Sequence, residues 1–270
     1  YGDNETTKRE TIVYVGSNGG MLHAFTAGVY DQATKSFAQA QGSSERIGDE
    51  LWSYIPRALL PHLKWLPRTD YTHVPYVDLK PKIIDAQVFT PETAHPYGWG
   101  TILIGGMNLG GKKIPVPETS GTSYYYSSYF AIDITDPRQP RLLWDRWYDD
   151  LGLTINQPTV IKVHDTWYLA IGSGFDEYDG TAAHKGRIYI VDLKTGAPLK
   201  YFETAEALAY LNAPIALDKS LNYSVDAIYA GATYYSGTAW RGKAYKVAVP
   251  ITTSPYSEGL DVTYDTNPVN

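Results

Sequence analysis

Asn212-Ala-Pro-Ile-Ala-Leu-Asp218, Ala227-Ile-Tyr-Ala-Gly231 and Gly242-Lys-Ala-Tyr-Lys-Val-Ala-Val249 are three apolar runs of strand length, set apart by turn chemistry. Such a series reads as one antiparallel meander. The connection between the first two carries a side-chain oxygen at every second position: Asp218, Ser220, Asn222, Ser224 and Asp226. In a calcium loop a coiled backbone points alternate oxygens at one hard cation, so these five are the candidate metal ligands. Spacing alone favours the plainer reading, a polar hairpin, because small polar residues are common in turns.

The same order recurs upstream. Ile12-Val-Tyr-Val-Gly16, the turn Ser17-Asn-Gly-Gly20, Met21-Leu-His-Ala-Phe25 and Glu50-Leu-Trp-Ser-Tyr-Ile55 form a first unit, with a polar loop expected from Thr26 to Asp49. Pro56-Arg-Ala-Leu-Leu-Pro-His-Leu63 follows, with short helical character. A second unit runs through Lys82–Phe89, Gly100–Gly105, Tyr129–Asp133 and Arg141–Asp145, and a third through Gln157–Val163, Trp167–Gly172, Gly186–Asp192 and Pro198–Phe202. Glu203 to Leu211, rich in Ala, Glu and Leu, is expected to be a short helix. Gly16, Gly105, Gly172 and Gly231 register as strand-ending glycines. Four strands per repeat, in sequence, describe a β-propeller blade. The expected fold is therefore all-β, a β-propeller of about four blades at roughly 11–56, 81–149, 157–202 and 212–249 within a single domain spanning 1–270. A Greek-key sandwich is the rival, but it does not require this repeated order.

Two units share a finer pattern. Asp133, the turn at Asp136-Pro137 and Trp144 match Asp192, the turn at Thr195-Gly196 and Phe202. This is similar to the tryptophan-docking repeat of quinoprotein-type propellers, in which a flat side chain fills the gap between adjacent twisted sheets.

Composition supports the architecture and narrows the function. Among 270 residues there are 24 Tyr, 24 Gly and 17 Pro, a mixture suited to pleated surfaces and turns. The net charge of −6 argues against a nucleic-acid surface. No apolar run approaches the roughly 18 residues of a membrane span. The absence of cysteine excludes disulfides, thiol catalysis and Cys-zinc sites. Tyr1-Gly-Asp-Asn-Glu-Thr-Thr-Lys8 has neither an initiating methionine nor a signal-peptide pattern, so the chain reads as a piece of a longer protein.

Other chemistry-bearing stretches read as bland. Gly106-Met-Asn-Leu-Gly-Gly-Lys112 nearly spells a phosphate loop, but Lys113 stands where Ser or Thr must bind magnesium, and Ile114-Pro-Val-Pro117 cannot open the required helix. Asp176-Glu-Tyr-Asp-Gly180 reads as a solvated turn. The six histidines show no paired metal spacing, and His23, inside a strand, reads as a satisfied structural residue. No Gly-x-Ser-x-Gly elbow is present. No enzyme is expected; a quinone-dependent dehydrogenase on the same fold is the catalytic alternative, and a metal-free outer-membrane or periplasmic scaffold is the structural one.

The order of motifs is more specific than any one of them. Val13-Tyr-Val-Gly-Ser-Asn-Gly-Gly-Met-Leu-His-Ala-Phe25, Glu50–Leu63, Ile102-Leu-Ile-Gly-Gly-Met-Asn-Leu-Gly-Gly-Lys112, Tyr129–Pro137, Asp150–Pro158, Ile188–Gly196 and the Asp218–Asp226 loop together resemble the C-terminal propeller of PilY-type type IV pilus tip-associated proteins. The resemblance implies a secreted or surface protein at the pilus tip or outer membrane that helps pili assemble and mediates adhesion. Its implied partners are pilin or minor pilins and a host or abiotic surface. It also implies a calcium site, with Asp218 and Asp226 as carboxylate ligands, Ser220 and Asn222 as side-chain ligands and Ser224 as a main-chain carbonyl. Ser220 and Asn222 depart from the family's Asp-rich loop, and Tyr223 stands where the family has Gly; fewer carboxylates mean a weaker site. The family's propeller has more than four blades. Four would leave open blade edges, to be covered by further chain or another subunit.

Overall fold

The computed structural model describes residues 9–40 and 42–248, with the backbone of a strand at 263–265. Tyr1–Lys8 and Val249, the last residue of the quoted meander, lie outside the described residues. Among the described residues nineteen strands follow one another with only short 3-10 turns between them, the longest at Arg57–Trp65 where two prolines punctuate the chain. The first sheet holds β1 (Glu10–Gly16), β2 (Leu22–Asp31), β3 (Ser36–Ala38) and β4 (Glu50–Tyr54). The second holds β5 (Lys82–Gln87), β6 (Trp99–Gly105), β9 (Tyr129–Asp133) and β10 (Arg141–Arg146), with the hairpin of β7 (Ile114–Glu118) and β8 (Gly121–Tyr125) inserted between β6 and β9. The third is the plain antiparallel run of β11 (Thr159–Val163), β12 (Thr166–Gly172), β13 (Arg187–Asp192) and β14 (Pro198–Glu203). The fourth holds β15 (Ala209–Leu211), β16 (Ile215–Leu217), β17 (Ala227–Tyr235), β18 (Trp240–Ala248) and β19 (Thr263–Asp265).

Packing follows from the two-residue period of the pleat. In β9, Phe130 and Ile132 face the first sheet's residues Leu22 and Trp52, while Tyr129 and Ala131 face the third sheet's Leu169 and Ile171. In β13, Tyr189 and Val191 turn back toward the second sheet and Ile188 and Ile190 turn forward toward Ile228 and Val247 of the fourth. Each middle sheet is thus buried on both faces, and every core lies between consecutive sheets. Each fully buried Ile or Leu of this kind stabilises the fold by about 2 kcal/mol. Consecutive four-stranded sheets stacked face to face are the blades of a propeller; as the first and fourth do not close on each other, the array is partial.

Aromatic side chains fasten each blade to the next. Trp52, in the last strand of the first sheet, donates its indole N–H to Pro137 O in the β9–β10 turn, at 2.8 Å. Trp144, in the last strand of the second sheet, donates to Leu193 O in the β13–β14 turn, at 3.0 Å. The turn beneath Trp144 needs glycine: Gly196 has φ +67°, and a Cβ there would lie 2.5 Å from the indole. Phe202 occupies the equivalent place in the third sheet, buried against Leu211 and Ile228, without a hydrogen bond to give. Close approach also fixes Gly16 and Gly172, where an added Cβ would meet Val77 O at 2.1 Å and Asn212 O at 2.8 Å, the entries to the next blade.

Three expectations fail locally. Glu203–Leu211 is not a helix: Ala209 N–H goes to His184 O, Leu211 N–H to Ser173 O, and Glu206 is drawn to Lys243 and Tyr245. Pairing across the blade outweighs the weak helical preference of Ala, Glu and Leu. The Thr26–Asp49 stretch is not wholly loop, because β2 continues to Asp31 and pairs with β3; Thr26, polar but 3% exposed, binds Glu10 and accepts the Gly28 N–H. Gly231 lies inside β17 rather than at a strand end, since that strand runs on to Tyr235.

Candidate functional site

The loop between β16 and β17 is closed at its base by Asp226 N–H to Leu217 O, at 2.9 Å. Both of its carboxylates turn inward. Asp218 accepts the backbone N–H groups of Asn222 (3.2 Å) and Tyr223 (2.7 Å), and Asp226 accepts Ser220 N–H (2.8 Å). Ser220 Oγ stands between them, 3.4 Å from Asp218 Oδ1 and 3.3 Å from Asp226 Oδ1. The structure therefore brings Asp218, Ser220 and Asp226 together. The other two side chains are engaged elsewhere: Asn222 Oδ1 accepts Ser224 N–H, and the buried Ser224 Oγ accepts His164 N–H from the β11–β12 turn. Leu221 and Tyr223 adopt φ +56° and +65°, the left-handed backbone that glycine takes without cost. The Ser220 N–H is the chief cause that holds the Asp226 carboxyl below its ordinary range.

Hard oxygens of this kind suit calcium in type, but the charge is low. Among the described residues no three His, Cys, Asp or Glu side chains gather as a metal-holding group. The loop's set rests on two carboxylates and neutral oxygens.

Two other polar networks brace strands. Ser17 Oγ lies 2.9 Å from His23 Nε2, and His23 Nδ1 lies 3.0 Å from Glu50 Oε1. The order is that of a hydrolytic triad, yet Ser17 Oγ also accepts Gly19 N–H and reaches Met21 O. These bonds tie the β1–β2 turn and β4 to β2. His95, 3% exposed and stacked on Phe89 at 3.9 Å, bridges Glu92 and the buried Asp133 at 2.9 Å each. Asp133 was legible as a strand-ending acid; its His95 partner was not.

A cleft of about 440 Å³ lies where the second and third blades meet. Its walls are the two stretches that read as bland: Lys112 of the glycine-rich loop and Glu177 of the acidic turn form an ion pair across it. The β10–β11 connection, with Trp147, Asp149 and Asp150, makes the floor.

Comparison with known proteins agrees with this architecture. A family model described as the PilY1 beta-propeller domain matches residues 2–258. A type IV pilus biogenesis factor PilY1 homolog of Xylella fastidiosa is 29% identical over 260 residues, 93% of this chain and 18% of that protein. The type IV pilus biogenesis factor PilY1 of Pseudomonas aeruginosa is 30% identical over 243 residues, 86% of this chain and 17% of its own length. The crystal structure of the Pseudomonas aeruginosa PilY1 C-terminal domain superposes with a TM-score of 0.58 at 27% identity, covering 89% of this chain and 38% of that one. The chain thus spans a minor part of each relative. With a family match across nearly all its residues and the blades to accompany it, the chain belongs to the PilY1 beta-propeller domain family.

Proposed function

We propose that this chain is the propeller module of a type IV pilus biogenesis factor and that it acts by binding, at the cell surface, pilin or minor pilins and a host or abiotic surface. The observation that carries this reading is the family match over residues 2–258, which extends across all four blades. A metal is part of the proposal. Calcium would be held by Asp218 and Asp226, with Ser220 and Asn222 side chains and the Ser224 carbonyl completing the oxygens, and it would supply positive charge between two carboxylates that now share one hydroxyl. The chain's own part is to fix the loop: Ser224 anchors it to the β11–β12 turn and Val225 to β11 itself, so its shape is tied to the neighbouring blade.

A metal-free scaffold is the second reading, favoured by the backbone N–H groups that already satisfy Asp218 and Asp226. Thermal melts with calcium and with chelator separate the two, because a ligand of the folded state raises stability by mass action. Calcium should raise the melting temperature, and Asp226→Ala should abolish the rise. Identical melts in calcium and chelator would leave the scaffold reading. Pull-down of pilin by the chain tests the partner independently of the metal.

A further inference from the structure

We propose that the cleft between the second and third blades binds a neutral saccharide. Its volume, about 440 Å³, lies in the range of small-molecule sites. One wall is aromatic: Trp147 and Tyr126 line it with their ring centres 6.0 Å apart. The two planes are tilted by 38°, an angled pair of apolar surfaces for the C–H side of a sugar ring, with polar edges.

Apart from Asp149, the charges around the cleft already have neighbours to answer them. Lys112 pairs with Glu177, and Asp150 lies 2.9 Å from Arg187. Lys113 stands over the rings of Tyr124 and Tyr126, at 4.8 and 5.3 Å. An incoming ammonium would compete with these lysines, and an incoming anion would meet the carboxylates. A ligand of many hydroxyls gains from both signs, since charged acceptors and donors make the stronger hydrogen bonds. Asp149 is the clearest acceptor on offer: its backbone carbonyl is used by Arg187 and Tyr189, while the residue itself is exposed. This inference does not depend on the metal loop, which lies between β16 and β17 of the fourth blade.

The test is calorimetric titration of the full chain with cellohexaose, maltohexaose and the N-acetylglucosamine hexamer, with hexalysine and hexaglutamate as charged controls. At least one sugar should bind with a dissociation constant of about 0.1–1 mM, and neither control should. Trp147→Ala should weaken that binding by about tenfold or more, through the lost stacking face. Asp149→Asn, a change at an exposed side chain, should weaken it several-fold while the melting temperature stays constant. Silence from all three sugars, preference for hexalysine or hexaglutamate, or full affinity in both variants would overturn the proposal.

Discussion

Replacing Trp144 by Phe removes the hydrogen bond that fastens the second blade to the third and keeps an aromatic ring at the joint. The indole is 4% exposed and Leu193 is fully buried, so the freed Leu193 carbonyl has no water to turn to. Leaving a buried acceptor unpaired costs about 1–3 kcal/mol, whereas Trp144→Ala also opens a cavity and should cost about 3–5 kcal/mol. The first blade provides the control. Trp52 and Pro137 are only half-buried, so in Trp52→Phe water can replace the lost donor at Pro137 O. Trp144→Phe should therefore be the more destabilising of the two by about 1 kcal/mol, or about 2–4 °C in melting temperature. Thermal melts followed by far-ultraviolet circular dichroism make the comparison. Equal losses in the two Phe variants, or a Trp144→Ala loss below about 1 kcal/mol, would refute the argument that these rings carry the contact between blades.

Acid sensitivity should centre on Arg138, which binds Glu10 at 2.8 Å and Glu45 at 2.9 Å and so links the second blade to the first. Burial acts to raise the Glu10 carboxyl, but the hydrogen bonds of Arg138 and Thr26 outweigh it and the net shift is downward; Ser43 first and then Arg138 hold Glu45 at about 2. Carboxyls lowered in the folded state contribute stability above their ordinary value of 4.5, and that stability is lost as pH falls through the folded value. The melting-temperature gap between the wild type and Arg138→Met should be full at pH 6 and shrink between 4.5 and about 2; a gap independent of pH would contradict the assignment. His95→Ala should cost on the order of 3 kcal/mol, because it removes the Nε2 partner of a carboxylate that is 5% exposed, and urea midpoints measure it. A loss under about 1 kcal/mol would mean that Thr135 alone satisfies Asp133.

The sequence was most legible where one local rule decides the outcome. Short apolar runs ended by an acid, Tyr129–Asp133 and Arg187–Asp192, mark strands, and Trp144 with Gly196 marks a docked aromatic, because strand preference and steric fit act over a few residues. Legibility fell where distant pairing rules. Glu203–Leu211 has helix-forming residues, yet its N–H groups are taken by carbonyls of the third sheet and its insert. Thr26 and Gly28 look like loop residues until Glu10, across the sheet, is in place. In the Asp218–Asp226 loop the alternation of oxygens is plain in the sequence, but the diversion of Ser224 to His164 depends on another blade. The cleft could not be read at all, since Lys112 and Glu177 belong to separate stretches whose pairing only the stacked blades create.

The docked aromatics all point one way along the chain: Trp52 onto the second sheet's turn, Trp144 onto the third's, Phe202 toward the fourth. Truncation at the two sides therefore separates different partners. Trimming the first sheet uncovers Phe130 and Ile132 together with the Pro137 carbonyl, whereas trimming the fourth bares Phe202, Ile188 and Ile190. Each outer sheet covers an apolar face of its neighbour, so a chain shortened by a whole blade at either side loses solubility.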